Sequence, residues 1–592
     1  MSNRVLLILL SVLIAPGGAA AEQQDLVSAA REPVSMVKGK KLIRVASELC
    51  SRFAEVIGPS MADADLPARV KIWQHTGLDG MAFSMATHDS SKLERNMSGQ
   101  WWKQVPITYE ELRPEIEAFK SVKDWGRLTD NFLWGGGPGS IWGEGDPGIA
   151  ETQDWFNDDH WKIILSNVKL QARIARELKF KGIMMDVEQY HHHGRGPWRF
   201  PFDYHYYAES GYKLTGEVAP RPLSQVADKV YHRAQQYGRA ICQVYPGLTL
   251  FLIPAIYRPN DLTDREILFP AFLDGLVAGL DDDSPLLLGS ERTYLYSQYS
   301  DMAIIRDGTI AQMCSRSRDP DRLRQKLSFA VGIWTDGGHT DGGGRRYSDT
   351  DVSINHRDPE RHKHAVHNAL AASDHYGWLY GENSYYLATD PTPLTRRYLQ
   401  ANTDGHFPQD LNWQPEPKWD MADYTDHDAQ MAAIDARFWS EIGAEGYRVA
   451  FEFPEYWHFY YDTEERGSSI NWEYPHAGWP KISTLRCWQS QSIKANGEGV
   501  YRVNFDAPVD LNPRTQQIFL AFGGFPADHH DSWTVVRLNG KGYQIKNLLD
   551  VSDRIRPGAN NFLAVELINK VGPGGPLGHV KLLVRNRKKQ KN

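Results

Sequence analysis

The chain has 592 residues, too many for one ordinary domain, so two or three are expected. Its formal net charge of -8 gives no polycationic signature, which argues against nucleic acid as a partner. The 19 Trp and 27 Tyr are a heavy load of flat amphipathic rings, which stack on sugar faces as readily as they fill cores.

Arg4 precedes an apolar run from Val5 to Ile14, followed by Pro16-Gly17-Gly18 and Ala19-Ala20-Ala21 before Glu22. A short apolar stretch ending in an A-x-A site reads as a secretory signal, too short for a membrane span, with cleavage expected after Ala21. No later stretch is long and apolar enough to span a bilayer, so the mature chain is expected to be soluble and secreted or periplasmic, with no membrane partner. Cys50, Cys242, Cys314 and Cys487 are scattered without a C-x-x-C. They are expected as small buried hydrophobes, with room for one bridge whose pairing the sequence leaves open.

Beyond the signal, short apolar runs recur: Leu42–Ala46, Leu78–Ser84, Asn131–Trp134, Lys181–Tyr190, Leu248–Pro254, Leu286–Glu291, Phe329–Trp334 and Tyr376–Glu382. Amphipathic helical patterns separate most of them, notably Asp159–Leu178, Leu223–Tyr245 and His362–Ser373. Eightfold strand–helix alternation predicts a (β/α)8 TIM barrel over residues 22–430. An open doubly wound sheet is the rival, but no Gly-rich phosphate turn follows Glu48. From about Met431 the texture changes. A helix over Ala432–Glu445 leads into alternating strands such as Gly499–Phe505, Gln517–Phe522, Trp533–Leu538 and Phe562–Ile568, with a turn at Asn539-Gly540. Residues 431–592 therefore read as a linker helix and an all-β sandwich.

The fourth strand carries the strongest chemical signal. Residues two apart on a strand share a face, so Met184, Asp186 and Glu188 point one way, and Ile183, Met185 and Val187 the other. Carboxylates at the carboxyl end of an apolar strand are costly to bury, and a barrel puts its chemistry at that end. The alternative is a salt-bridged or helix-capping pair. Other strand ends carry Glu48, Ser84, Glu291, Asp336 and Glu382, so eight converging ends would form an acidic mouth ringed by Trp134, Tyr190, Tyr294, Trp334 and Trp378.

The carboxy-terminal part resembles the sugar-binding jelly roll of family-2 glycoside hydrolases. The features are Trp457-x-Phe459, Asp462, Gly467, Trp472, Trp479, Trp488, Val500-Tyr-Arg-Val, Arg537-Leu-Asn-Gly-Lys541 and Asp550–Asn561. They cover roughly the last 140 residues and imply a supporting jelly roll rather than a sugar site. The first 400 residues resemble secreted bacterial (β/α)8 glycoside hydrolases, through Asp154-Trp155-Phe156-x-Asp158-x-x-Trp161 and Lys181–Tyr190. The D-x-E of the fourth strand is also similar to the end of the family-18 chitinase signature, where the Glu is the general acid. Met184 stands where that pattern has a further Asp, which argues against an acetamide-assisted mechanism.

Glycoside hydrolysis needs one protonated and one ionised carboxyl, about 5 Å apart for retention and about 6.5–9.5 Å for inversion. Glu188 is the expected acid/base and Glu291, across the mouth, its expected partner, with Glu382 next. Asp186 lies about 7 Å from Glu188 along the backbone and fits an orienting role better than a nucleophilic one. Ion pairing, for Glu291 with Arg292 or another cation, and a plain loop carboxylate for Glu382 are the competing readings. Trp134, Tyr190, His191, Tyr294, Trp334, Asp336 and Trp378 are the expected substrate contacts.

His191-His192-His193 lacks metal-ligand spacing and reads as a substrate-contacting or exposed loop. Gly135-Gly-Gly-Pro-Gly139 lacks the Lys of a phosphate loop and reads as a flexible mouth loop. Asp281-Asp-Asp283 and the Asp336–Gly344 segment read as solvated turns rather than calcium loops. No metal and no cofactor is expected. The expected function is a secreted glycoside hydrolase acting on a poly- or oligosaccharide. The alternative is a barrel that binds glycan without cleaving it. The sequence leaves the oligomeric state open.

Overall fold

The computed structural model describes residues 36–46, 65–85, 100–102, 105–138, 155–187, 202, 204, 221–253, 267–336, 348–352, 355–381, 387–388, 390–413, 425–462, 479–491, 493, 497–524, 534–544, 546–569, 575 and 577–587. Eight strands form a closed barrel: β1 (Lys41–Ala46), β2 (Gly80–Phe83), β3 (Phe132–Gly136), β4 (Gly182–Asp186), β5 (Thr249–Ile253), β6 (Leu286–Ser290), β7 (Leu327–Trp334) and β8 (Tyr376–Gly381). Each pairs in parallel with the next, and β8 closes on β1 from Lys41↔Tyr376 to Ala46↔Gly381. Helices α1 (Leu66–Trp73), α2 (Tyr109–Ser121), α3 (Asp158–Glu177), α4 (Leu223–Val244), α5 (Phe269–Gly279), α6 (Tyr299–Arg316), α7 (Pro320–Lys326) and α8 (Pro359–Ala372) occupy the seven crossovers, and α9 (Pro393–Asp404) follows β8. This is the (β/α)8 arrangement that the strand–helix alternation predicts.

The period-two pattern of each strand builds two apolar layers. Ile183, Met185, Leu250, Leu252, Leu286, Leu288, Val331 and Leu379 face the helices. Ile43, Val45, Phe132, Met184, Phe251, Leu287, Ala330 and Trp378 fill the barrel interior. Trp378 fits because two facing positions lack a side chain. A Cβ on Gly332 would lie 2.7 Å from its ring, and one on Gly289 2.7 Å from Phe251.

The N-terminal end of the barrel is closed by charge. Asp79 accepts the Leu42 amide at 2.8 Å and lies 3.2 Å from Arg127, 3.8 Å from Lys41 and 3.6 Å from His406. Asp130 accepts the Tyr376 hydroxyl at 2.8 Å, with Lys181 at 3.9 Å.

The motif around Trp155 and Trp161 is scaffold. Asn157 caps α3 by accepting the His160 amide, both indoles are buried, and Arg233 donates to the Trp155 carbonyl at 2.9 Å while lying 5.1 Å from the Trp161 ring. The glycine run at 135–137 is also structural rather than a loose loop. Gly135 and Gly136 belong to β3, and a Cβ on Gly135 would strike Trp101 and Gln171 at 2.6 Å. Gly137 donates to the Asp186 carbonyl, and a Cβ there would lie 2.7 Å from that oxygen. At the Asp281–Asp283 turn, Lys326 donates to the Asp282 carbonyl at 2.8 Å, and Asp281 accepts the Gly247 amide at 3.1 Å.

After α10 (Thr425–Ala444) the chain forms two antiparallel sheets. Their strands are β9 (Arg448–Glu452), β10 (Tyr456–Asp462), β11 (Lys481–Ser483), β12 (Gly497–Asp506), β13 (Gln516–Phe522), β14 (Thr534–Leu538), β15 (Lys541–Gln544), β16 (Leu548–Asp550), β17 (Asn560–Asn569) and β18 (Val580–Asn586). One sheet has the order β11-β10-β12-β17-β14-β15, the other β16-β13-β18-β9. Trp457, Phe459, Tyr501 and Leu563 from the first share an apolar cluster with Ile518, Leu520 and Leu582 from the second. The β14–β15 turn uses Asn539 at φ 48° and Gly540 at φ 89°, as a tight hairpin requires. Asn539 Nδ2 also donates to Asn561 Oδ1 at 2.7 Å, and Asn539 Oδ1 accepts the Phe562 amide at 3.0 Å. The two recognisable pieces of this region, L-N-G-K and R-P-G-x-N, are thus one interlocked structural device.

Among the described residues Cys242, Cys314 and Cys487 are free, and no helix is long and apolar enough to cross a membrane.

Candidate active site

Asp186 closes β4 on the same face as Met184, so its carboxyl belongs to the interior side of the C-terminal mouth, and it is buried. Glu291 continues the inward alternation Leu287, Gly289, Glu291 and opens a short 3-10 turn, Glu291–Thr293. Strands β4 and β6 are separated only by β5. Glu291 therefore lies a quarter-turn around the mouth from Asp186, while Glu188, its expected partner across the mouth, lies outside the described residues. The strand diametrically facing β4 is β8. Angular position depends on where the sheet closes, which alternation along one strand does not reveal.

Burial pushes the Glu291 carboxyl up to about 7, and the hydrogen bond from the Tyr294 hydroxyl, 2.8 Å to Oε1, pulls the other way. The first cause wins because a charge in low dielectric loses more solvation than one neutral donor restores. The ion pair with Arg292 that competed as a reading is not among the described salt bridges of Glu291.

An aromatic wall stands beside this carboxyl. Tyr294 lies 5.5 Å from Tyr380, nearly parallel at 12°, 5.8 Å from Trp334 and 5.3 Å from Trp378. Tyr380 was legible, since it shares the inward face of β8 with Trp378, but the sequence reading passed over it. Trp378 itself is fully buried and donates to the Ala330 carbonyl at 3.2 Å, so it is the floor of the mouth and not a ligand contact. Asp336 is buried as well and accepts the Trp334 indole N–H at 2.8 Å, so it aims that ring. Trp134, on β3, packs against the interior cluster, and its indole nitrogen is buried with no hydrogen-bond partner among the described residues.

The wall is held from behind by Arg357, a buried side chain absent from the sequence-based candidates. It donates to the carbonyls of Tyr294 at 2.7 Å, Tyr296 at 3.0 Å and Trp334 at 3.1 Å, and to the Ser297 hydroxyl at 3.2 Å. A guanidinium has five donors in a rigid fork, which suits it to pin two loop backbones at once. Thr293 adds a hydroxyl bond to the Gly332 carbonyl at 2.8 Å.

Glu188, Tyr190, His191 and Glu382 lie outside the described residues, as do Glu48 and the rest of the histidine triplet. Among the described residues no group of three His, Cys, Asp or Glu could hold a metal ion. The described residues thus offer one carboxyl raised to about 7, a second carboxyl a quarter-turn away, and a wall of rings. They can donate a proton and stack against a ring-shaped ligand.

No family model matches the chain, and no curated protein matches it. Solved structures align over small parts only. A glycosyl hydrolase family 2 member from Bacteroides cellulosilyticus shows 20% identity over 23% of this chain and 20% of that one, with a TM-score of 0.19. A β-glucuronidase from Ruminococcus gnavus shows 18% identity over 24% of this chain and 29% of that one, with a TM-score of 0.20. The chain spans less than a third of the length of either, and overlaps of this size leave the functional argument to the residues themselves.

Proposed function

We propose that the barrel mouth hydrolyses a glycosidic bond, with Glu291 as the proton donor and Asp186, or Glu188 two residues further along the sequence, as its ionised partner. The observation that carries this reading is Glu291. It is a strand-end carboxyl on the inward face of a closed barrel, lifted to about 7 by burial and set beside Tyr294, Trp334 and Tyr380. A glycosidase needs a carboxyl that is still protonated near neutral pH, and such a shift costs stability that an inert scaffold has no reason to carry. The aromatic wall supplies ring faces for sugar stacking. This assignment transfers the acid role from Glu188 to Glu291. The substrate class is a poly- or oligosaccharide, the Arg4–Ala21 segment of the sequence supports an address outside the cytoplasm, and the C-terminal sheets are read as a jelly-roll support.

The test is a screen of purified protein against plant, algal and microbial glycans, with Glu291→Gln and Glu188→Gln beside the wild type. Loss of reducing-sugar release in Glu291→Gln supports the assignment. Unchanged release in that variant with loss in Glu188→Gln returns the acid role to Glu188. Glycan retardation in affinity gels without any release by the wild type replaces the enzyme with a binding barrel.

A further inference from the structure

In the C-terminal part of the chain, α10 and the start of β18 enclose a cleft of about 320 Å3, lined by Met431, Asp435, Trp439, Leu485, His579 and Lys581 among others. Its polar groups are ordered in a way that packing alone does not require. Asp435 is buried and accepts three donors: the His579 amide at 2.8 Å, the Trp439 indole at 3.0 Å and the His579 ring at Nδ1. The carboxylate is clamped from behind, since a Cβ on Gly523 would lie 1.8 Å from Oδ1 and one on Gly578 2.5 Å from it. The Asp435 carboxyl accepts from Nδ1, an arrangement that in a neutral imidazole leaves Nε2 as the acceptor. That nitrogen has no hydrogen bond among the described residues, and the imidazole is 56% exposed at the cleft. Lys581 stands in the same wall, paired with Glu452 at 2.9 Å and lying 4.8 Å from the Trp439 ring centroid, which leaves ammonium donors to spare.

The cleft therefore presents one acceptor and one donor above apolar walls. An apolar occupant would leave both unpaired. A carboxylate would meet the lone pair of Nε2. A sugar hydroxyl satisfies both at once, giving its hydrogen to Nε2 and accepting from Lys581, while the C–H face of the ring covers Met431, Leu485 and Trp439. Ligand pockets run from roughly 300 to 1,000 Å3, and this one, at the bottom of that range, takes a single ring. We infer that the α10–β18 cleft is a saccharide-binding site for one pyranose unit, separate from the barrel mouth. It goes beyond the hydrolase reading and does not need the mouth to cleave anything.

The experiment is carbethoxylation of the full-length protein by diethylpyrocarbonate, followed by mass spectrometry at His579. The probes are methyl glucopyranosides, galactopyranosides, mannopyranosides and xylopyranosides. At several times its Kd, at least one glycoside is expected to slow modification at His579 about fivefold, as occupancy by mass action requires. Lys581→Met, which removes the donor and leaves the exposed imidazole, is expected to abolish that protection. Glu291→Gln is expected to retain it whether or not the wild type cleaves glycans, so failure of the cleft and failure of the mouth are separately visible. If no glycoside in the panel slows modification, or if Lys581→Met is protected as well as wild type, the site is overturned and the Asp435–His579 pair is a clamp between helix and sheet.

Discussion

At the N-terminal end of the barrel, Asp79 and Asp130 are buried and met by Arg127, Lys41, Lys181 and the Tyr376 hydroxyl. At the C-terminal end, Glu291 meets one tyrosine hydroxyl and a wall of rings. The same chemical group does opposite work in the two places. Cations meet the lower carboxylates and stitch strand starts together, while burial raises the upper one to about 7, with no cation paired to it among the described residues. Carboxylates met by cations read as structure, and one raised by burial at a strand end reads as chemistry.

The largest test of this contrast is Glu291→Gln. Glycoside cleavage should fall by about 10²–10⁴-fold, the usual share of a general acid. The wild-type rate should decline as pH rises through about 7, because the protonated form is the active one. Stability should move the other way. A Glu raised from 4.5 to about 7 contributes stability that is whole below 4.5 and lost as pH climbs to 7. The Gln variant should therefore unfold at higher temperature than wild type above pH 7 and match it below pH 4.5, by at most about 3 kcal/mol. An equal Tm for the two proteins at pH 8 breaks the contrast at its upper end.

The lower end is tested by Asp79→Ala, which strands two cations and the Leu42 amide. It should cost about 3–5 kcal/mol in denaturant unfolding while leaving the rate per folded molecule unchanged. A drop in rate without a drop in stability would mean the two ends are not separate.

A third test concerns the buried histidines of α8. His362 Nε2 donates to Asn402 Oδ1 at 2.8 Å, and burial lowers the imidazole from 6.5 to about 3. Its contribution is present above pH 6.5 and lost progressively as pH falls toward 3. At pH 5 this is about 2 kcal/mol, and His364 and His367, both lowered by burial, add in the same direction. His362→Gln should flatten the acid limb of a pH–Tm curve, and an unchanged limb would remove this histidine from the account. The smallest expected effect is Tyr294→Phe. Losing the hydroxyl removes the one bond that favours the charged form, so the alkaline limb of the rate profile should move up by about one unit or less. A downward move would reverse the assigned role of that hydroxyl.

Much of the barrel was legible because alternation along a strand is a local property. Met184 with Asp186, and Leu287 with Glu291, take the faces that their spacing dictates. What alternation does not carry is depth and angle. Trp378 sits two residues below Tyr380 on one face, about 7 Å deeper in the barrel, and that step separates a floor from a wall. Arg357 was invisible for another reason. Its job is to hold the carbonyls of residues far away in sequence, and nothing in its neighbours His356 and Asp358 announces it. The motif Trp155–Trp161 misled in the opposite sense, since aromatic rings at fixed spacing look the same whether they meet a ligand or each other.

The buried ring of Trp378, with Phe251 and Phe132 beneath, has one more consequence. It makes the barrel a cup with a bottom, so nothing threads through it. Any ligand that enters must leave by the same rim.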